Sequence, residues 1–252
     1  MGFRTQDLSK DGFLGGKLTI HQPKQGYRAA TDPVFLAASV NAKHGQSVLE
    51  LGCGAGVASL CLATRVPGLD LTGVELQPDY ADLAMRNARD NGLDFSVTCA
   101  DLADLPPELT ARGFDHVLAN PPFFEPGAGT PATDVGKETA LREDTPLTVW
   151  IDTAIRRLNP RGNLWIIHLA SRLPQVLACL DARVGSVTVK PLAPRIGKPA
   201  GRVIVRAQKG AKGGFSLCAP LIVHQGAQHE KDGESYTGDV AVILRKGAAL
   251  NF

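Results

Sequence analysis

Ser47-Val48-Leu49-Glu50-Leu51-Gly52-Cys53-Gly54-Ala55-Gly56-Val57-Ala58-Ser59-Leu60-Cys61-Leu62-Ala63 decides the fold of this 252-residue chain. Residues 47–51 are a short apolar run that reads as a buried strand, and the apolar spacing after Val57 suits a helix. Between them, Gly52, Gly54 and Gly56 read as a tight turn. Strand, glycine turn and helix in that order let a backbone approach a nucleotide-like ligand closely. The stretch therefore predicts an open α/β sheet with a ligand at the carboxyl ends of its strands.

The ligand is further constrained by the spacing, which is G-x-G-x-G rather than the G-x-G-x-x-G of dinucleotide sites. Glu50 stands just before the glycines, where a pyrophosphate is repelled. S-adenosylmethionine has no phosphate but carries an ammonium and a sulfonium, and a carboxylate suits both. Downstream, Asp70-Leu71-Thr72-Gly73-Val74-Glu75 reads as a second strand whose terminal Glu75 can accept from two ribose hydroxyls. An acid at that offset serves dinucleotides equally well. Residues 95–100 read as a third strand, ending at Asp101-Leu102. Asp101 can accept from an adenine amino group or act as a turn former and helix cap.

A fourth strand, Phe114-Asp115-His116-Val117-Leu118-Ala119, runs into Asn120-Pro121-Pro122-Phe123. Neither proline can donate to a sheet ladder, so the strand stops in a stiff loop. The Asn120 side-chain oxygen and the Pro121 carbonyl can both accept from a planar –NH2 group. Phe123 can stack on the ring that carries it. The same prolines also make a rigid turn with no further duty.

Acids ending successive strands, followed by this tetrapeptide, resemble the class I S-adenosylmethionine-dependent methyltransferases. The segments that carry the likeness are 50–56, Gly73-Val74-Glu75, Ala100-Asp101-Leu102 and Asn120–Phe123. The NPPF form resembles the branch that methylates planar nitrogens on nucleobases or on the glutamine amide. Within that branch the chain is most similar to bacterial tRNA adenine-N6 methyltransferases, which act just 3′ of the anticodon in a valine tRNA. The likeness extends upstream through Gly26–Leu36 and weakly downstream through Arg202–Val205 and Leu221–Val223. It implies a seven-stranded Rossmann-like sheet with helices on both faces. It assigns S-adenosylmethionine to Glu50, Gly52, Cys53, Gly54, Gly56, Glu75, Leu76, Asp101, Leu102 and Asn120. Asn120, Pro121, Pro122 and Phe123 become the catalytic segment, and Tyr27, Arg28, Asp32 and Phe124 substrate contacts. The aromatic is often Tyr in this branch. Phe123 keeps the stacking and excludes a phenolic hydroxyl from the chemistry.

Composition fits one α/β domain with extensions. Hydrophobic residues make up 44%, no apolar run is long enough to span a bilayer, and no signal peptide is apparent at Met1. Cys53, Cys61, Cys99, Cys179 and Cys218 form no C-x-x-C pair, and at least four fall at positions expected to be core or strand. They read as reduced, buried thiols of a cytoplasmic protein. The six histidines show no metal-binding spacing, so no metal is expected, and His224 and His229 read as surface-loop residues. A monomer is expected.

The net charge of +2 hides a segregation: residues 1–150 hold 12 basic and 19 acidic side chains, residues 151–252 hold 15 and 6. From Arg183 to His229 there are eight basic residues and no acid. Such asymmetry fits a nucleic-acid partner, and equally a solvated basic face. Arg195 and Lys198, on a Pro- and Gly-rich loop from Pro191 to Gly201, are the expected exposed phosphate contacts to a tRNA.

The organisation expected is an arm or hairpin over 1–30 with a strand at Lys17–His21, a methyltransferase domain over 31–210, and an extension over 211–252 packed on it. Thr31-Asp32-Pro33 starts a helix that continues to Val40. Further helices are expected over Pro78–Asn91, closed by Gly92, over Pro146–Leu158 and over Ser171–Arg183. Gly162–Leu169 reads as a strand, and Val187–Leu192 with Arg202–Gln208 as a final antiparallel pair. The loop from Phe124 to Asp144 reads as a flap over the acceptor. The rival readings are a protein-glutamine N5-methyltransferase, a small-molecule methyltransferase and a cofactor-binding module without activity. Only about 45 residues precede the glycine turn, where the glutamine enzymes carry a helical domain.

Overall fold

The computed structural model describes residues 2–123, 145–226 and 235–252. The expected flap from Phe124 to Asp144, including Phe124 itself, and His229 lie outside the described residues. In chain order the elements are β1 (Leu8–Phe13), β2 (Leu18–Pro23), α1 (Asp32–Ser39), β3 (Ser47–Leu51), α2 (Val57–Arg65), β4 (Asp70–Glu75), α3 (Pro78–Asp90) and β5 (Ser96–Cys99). There follow α4 (Pro107–Thr110), β6 (Phe114–Ala119), α5 (Leu147–Arg157), β7 (Leu158–Leu169), α6 (Leu173–Cys179), β8 (Val184–Ala193), β9 (Arg202–Lys209), β10 (Ser216–Leu217), β11 (Leu221–Ile222) and α7 (Gly238–Lys246).

One sheet organises the chain. Its seven principal strands run in the order β8-β9-β7-β6-β3-β4-β5, with β10 and β11 added along the outer edge of β8. All pairings are parallel except those of β9, which runs antiparallel to both β7 and β8. The seven-stranded sheet expected from the sequence is thus present, widened by two short strands. β3 is bonded to β4 on one side and β6 on the other. The strand order reverses there, and a crevice opens at the carboxyl ends of β3 and β6.

The central strands are apolar throughout because both sheet faces are covered. One face carries α1, α2, α7 and the β1–β2 hairpin, with Leu36, Leu60, Leu62 and Trp165 buried between them. The other carries α5 and α6, packed through Ile151, Ile155 and Val176. α3 starts with Pro78 in its first turn and closes on Gly92 at φ +65°, the conformation that favours glycine after a helix.

The hairpin is paired from Leu8↔Pro23 to Phe13↔Leu18, so the single strand expected near Lys17–His21 has a partner. Asn87 of α3, fully buried, accepts from the His21 N–H at 2.8 Å and donates to the carbonyls of His21 (3.1 Å) and Ala55 (2.9 Å). Asn91 repeats the pattern on Thr19. The last residues fold back as well. The Leu250 N–H donates to the Ala38 carbonyl at 2.8 Å, and Phe252 packs edge-on against Trp165.

Several boundaries differ from expectation. α6 covers only Leu173–Cys179, because Pro174 opens it and the chain is extended again at Leu180. β7 begins at Leu158 rather than Gly162. Asn159-Pro160-Arg161-Gly162, directly after the helix expected over Pro146–Leu158, forms an irregularity in the strand where Gly162 lies against the carbonyls of Phe114, Asp115 and Asn159. Among the cysteines only Cys53 and Cys61 are buried; Cys99, at the end of the outermost strand β5, is exposed, and Cys179 and Cys218 are half-buried. No helix among the described residues is long and apolar enough to cross a membrane.

Candidate functional site

A cavity occupies the crevice at the carboxyl ends of β3, β4 and β6. Its wall includes Glu50, Gly52, Cys53, Gly54, Glu75, Leu76, Asp101, Leu102 and the whole of Asn120–Phe123. The fold brings these residues together because each follows or ends a neighbouring parallel strand. Gly52, Gly54 and Gly56 all have positive φ, at +62°, +53° and +83°. A side chain at Gly52 would meet the Trp150 ring at 2.4 Å. Gly56 does not line the cavity; it caps α2, and a side chain there would press on Phe95 and Ala84.

The turn is held by the two acids that flank it. Glu75 accepts the Gly54 N–H on one carboxylate oxygen at 2.8 Å and the Gln77 N–H on the other at 3.0 Å. Glu50 accepts both the backbone N–H (2.9 Å) and the hydroxyl (2.5 Å) of Ser59 in the first turn of α2. Burial pushes the Glu50 carboxyl up to about 7, against the Ser59 hydrogen bonds and with help from the neighbouring Glu75 charge. Burial also raises Glu75, partly offset by its backbone partners. Two carboxylates thus share a desolvated cavity, an arrangement that favours a cationic ligand.

Asp101 is exposed at the cavity rim. One of its oxygens accepts the Ala103 N–H at 2.8 Å, the turn-forming duty, and the residue still lines the cavity.

The Asn120 amide and the Tyr27 phenol both line the cavity, and the amide's Oδ1 is buried and has no partner among the described residues. Oδ1 is thus left as a spare acceptor. Burial pushes the Tyr27 hydroxyl up to about 12, with the charges of Asp32 and Glu50 adding to the effect. It stays protonated at neutral pH. Tyr27 lines the cavity, and its carbonyl accepts from the Tyr80 hydroxyl at 3.0 Å. Phe123 is half-buried. The Arg202 guanidinium lies over its ring at 4.6 Å, and His168 lies at 5.5 Å with the rings tilted by 57°.

The remaining expected substrate contacts sit elsewhere. Arg28 is absent from the cavity wall and ties the hairpin together, donating to Ser9, to the Pro23 carbonyl and to Asp11 at 2.7 Å. Asp32 is likewise off the wall and binds the Nε of Arg202 at 2.8 Å. Arg195, expected on an exposed loop, is 8% exposed. Its guanidinium bonds the carbonyls of Gln225 and Gly226 and approaches the Ser235 hydroxyl, because the chain after β11 folds back over the loop. Lys198 is exposed, as expected.

Trp150, Tyr80, Pro33 and Thr145 also line the cavity, and Arg202 backs Phe123. No local pattern marks them. Trp150 and Arg202 lie in ordinary helix and strand sequence, and their partners are distant in the chain.

Residues 31–191 match the methyltransferase small domain family. Curated relatives named tRNA1(Val) (adenine(37)-N6)-methyltransferase include one from Enterobacter sp., 31% identical over 52% of this chain and 56% of its own length. Another, from Porphyromonas gingivalis, is 30% identical over 75% of this chain and 74% of its own. The chain spans about half the length of the Enterobacter relative and 47% of one from a Flavobacteriaceae bacterium. Among solved structures, one described as a predicted O-methyltransferase from Agrobacterium tumefaciens superposes with a TM-score of 0.70. It is 25% identical, over 87% of this chain and 98% of that one. A Thermus thermophilus 16S rRNA N2 G1207 methyltransferase shares the fold, with a TM-score of 0.56 and 19% identity, over 80% of this chain and 50% of that one.

Proposed function

We infer the reaction from one premise: the chain belongs to the methyltransferase small domain family. The proposed activity is S-adenosylmethionine-dependent N-methylation of an exocyclic amino group, adenine N6 in the anticodon loop of a tRNA. The observation that carries it is the buried Oδ1 of Asn120, without a partner among the described residues, in a cavity it shares with Glu75 and the glycine turn. A buried acceptor without a partner is costly unless a ligand donates to it.

The cavity fits the cofactor. Gly54 leaves room for close approach, Glu75 keeps lone pairs for ribose hydroxyls, and Leu76, Asp101 and Leu102 supply an apolar and polar rim for an adenine. Bound S-adenosylmethionine supplies an electrophilic methyl group. The chain's own part is to hold and polarise the acceptor. Asn120 Oδ1 and the Pro121 carbonyl accept from the amino group, favouring a pyramidal, more nucleophilic nitrogen as positive charge builds on it. Phe123 stacks on the base, a contact worth about 1–3 kcal/mol. A loop nucleotide is already unpaired, which lowers the cost of presenting it. Lys198 and the other exposed cations of the C-terminal half are proposed phosphate contacts, and the cytoplasm, where tRNA is modified, is the proposed location.

The test is incubation with methyl-labelled S-adenosylmethionine and total tRNA, followed by digestion to nucleosides. Label in N6-methyladenosine is expected, and Asn120→Ala should abolish it while leaving S-adenosylhomocysteine affinity within a few-fold. Label in protein glutamine instead of tRNA would overturn the substrate assignment. Near wild-type turnover in Asn120→Ala would overturn the role of the amide.

A further inference from the structure

The Phe123 ring is held from outside the cavity by a residue far away in sequence. Arg202 opens β9, and its side chain is fixed at three points. Its Nε donates to Asp32 at 2.8 Å across 170 residues of chain. Its guanidinium lies over the Phe123 ring at 4.6 Å, inside the range of a cation–π contact. Its Nη1 reaches the Gly201 carbonyl at 3.3 Å. Asp32 is itself anchored at the N-terminal end of α1, where the helix dipole favours a carboxylate. Three remote segments, the start of α1, the loop after β6 and the start of β9, therefore meet on one aromatic ring.

The backbone beneath Arg202 does not depend on that side chain. Arg202 is paired with Leu169 of β7 on one side and Leu192 of β8 on the other. Gly201 adds bonds to Ala170 and Leu192. The aim of the guanidinium is thus set by a double ladder, and the side chain is not needed to build it. His168 completes the enclosure. Its Nδ1 accepts the Leu169 N–H at 2.8 Å, so its tautomer is fixed. Burial and the charges of Arg172 and Arg202 push it down to about 4, so it packs against Phe123 as a neutral ring.

We propose that Arg202, anchored on Asp32, is a positioning residue for Phe123: it occupies one face of the ring and leaves the other as the single stacking face for the acceptor base. The proposal rests on the methyltransferase reading above. Asn120 and Phe123 are joined by two prolines with restricted backbones, so a ring held in place also holds the Asn120 amide at the reacting nitrogen. Asp32 then acts through Arg202 rather than on the substrate.

The experiment uses the full chain labelled with fluorophenylalanine. The Phe123 resonance is assigned among nine by comparison with Phe123→Leu. In Arg202→Met and in Asp32→Asn that resonance should shift and broaden, with melting temperature and S-adenosylhomocysteine affinity little changed. On tRNA, kcat should fall roughly 10–100-fold, the size expected of misplacement, with KM changed less. Arg202→Lys, which keeps the charge over the ring, should recover part of the loss. An unmoved Phe123 resonance overturns the proposal, and so does a mobile ring with undiminished kcat. Additive losses in Arg202→Met combined with Phe123→Leu also overturn it, because a residue acting through the ring has nothing left to act on. A wild-type protein inert towards tRNA, with a ring that loosens on substitution, rejects the substrate and leaves the ring-holding role standing.

Discussion

Replacing Glu50 by Gln should make the protein more stable at pH 8 than the wild type, and this gain should vanish at pH 4.5. Glu50 is 4% exposed, and its carboxyl is lifted from an ordinary 4.5 to about 7, chiefly by burial. Between those values the folded chain holds a proton that the unfolded chain has released. Unfolding then releases a proton, so stability falls as pH rises, by about 1.4 kcal/mol per pH unit. Across the window the loss is about 3 kcal/mol. It is absent below pH 4.5 and complete above pH 7. Gln cannot ionise and can offer its carbonyl oxygen to Ser59, so it escapes the loss. His116 and His168, both pushed down to about 4 by burial, act in the opposite sense: they stabilise as pH rises towards 6.5. Both are present in wild type and variant and cancel in the comparison. The measurement is urea unfolding of the ligand-free protein at pH 4.5 and pH 8, followed by tryptophan fluorescence. A difference between variant and wild type that is the same at both pH values, within about 0.5 kcal/mol, would refute the reasoning and mean that the carboxylate is solvated through the cavity. If the cavity takes a cation, wild-type affinity for S-adenosylmethionine should also rise from pH 6 to pH 8, and Glu50→Gln should flatten that rise.

Gly52→Ala should lower stability by about 2–4 kcal/mol, combining left-handed strain with overpacking against Trp150, and should abolish S-adenosylhomocysteine binding by calorimetry. Asn87→Ala leaves the His21 N–H and two buried carbonyls without partners. It should cost about 2–4 kcal/mol, and hydrogen exchange should show lost protection across Leu8–Pro23. Arg195→Ala should destabilise by about 1–3 kcal/mol in thermal unfolding, because it opens the carbonyls of Gln225 and Gly226. Lys198→Glu should leave stability unchanged within about 0.5 kcal/mol and raise the KM for tRNA; an unchanged KM would make that loop a solvated face.

The central sheet and most of the cavity wall are legible in the sequence because their signals are local. A buried strand followed by a glycine, an acid or a proline places a functional group at the carboxyl edge, and the parallel topology then assembles those ends. The hairpin partner Leu8–Phe13 is not legible, since its alternation is weak and its support comes from Asn87, which in sequence reads as a polar residue in a surface helix. Arg195 misleads for a related reason. A basic residue in a Pro- and Gly-rich loop reads as exposed, and only the returning chain at Gln225 and Gly226 shows what covers it. Arg202 is equally opaque, because its meaning lies in Asp32 and Phe123, which no spacing rule connects to it.

The charge segregation takes on a spatial sense once the strand order is known. The acids of the first half converge on the cavity, where Glu50, Glu75 and Asp101 end or follow neighbouring strands. β8 and β9 lie on the opposite side of β6, beyond β7. β8 runs parallel to the central strands, so the loop that leaves it, with Arg195 and Lys198, emerges at the same edge of the sheet as the cavity. One edge therefore offers a negative pocket on one flank and cations on the other, with Asn120–Phe123 between them. The proposed cationic methyl donor and polyanionic substrate would call for fields of opposite sign. The strand reversal at β3 and the antiparallel return of β9 keep the two charged regions apart by a few strand widths. Arg202, at the start of β9, is paired with Asp32 and turned onto the Phe123 ring. In the proposed reaction the acceptor base would meet an aromatic surface between two fields, and the cavity beyond it would be kept for the positive charge of the donor.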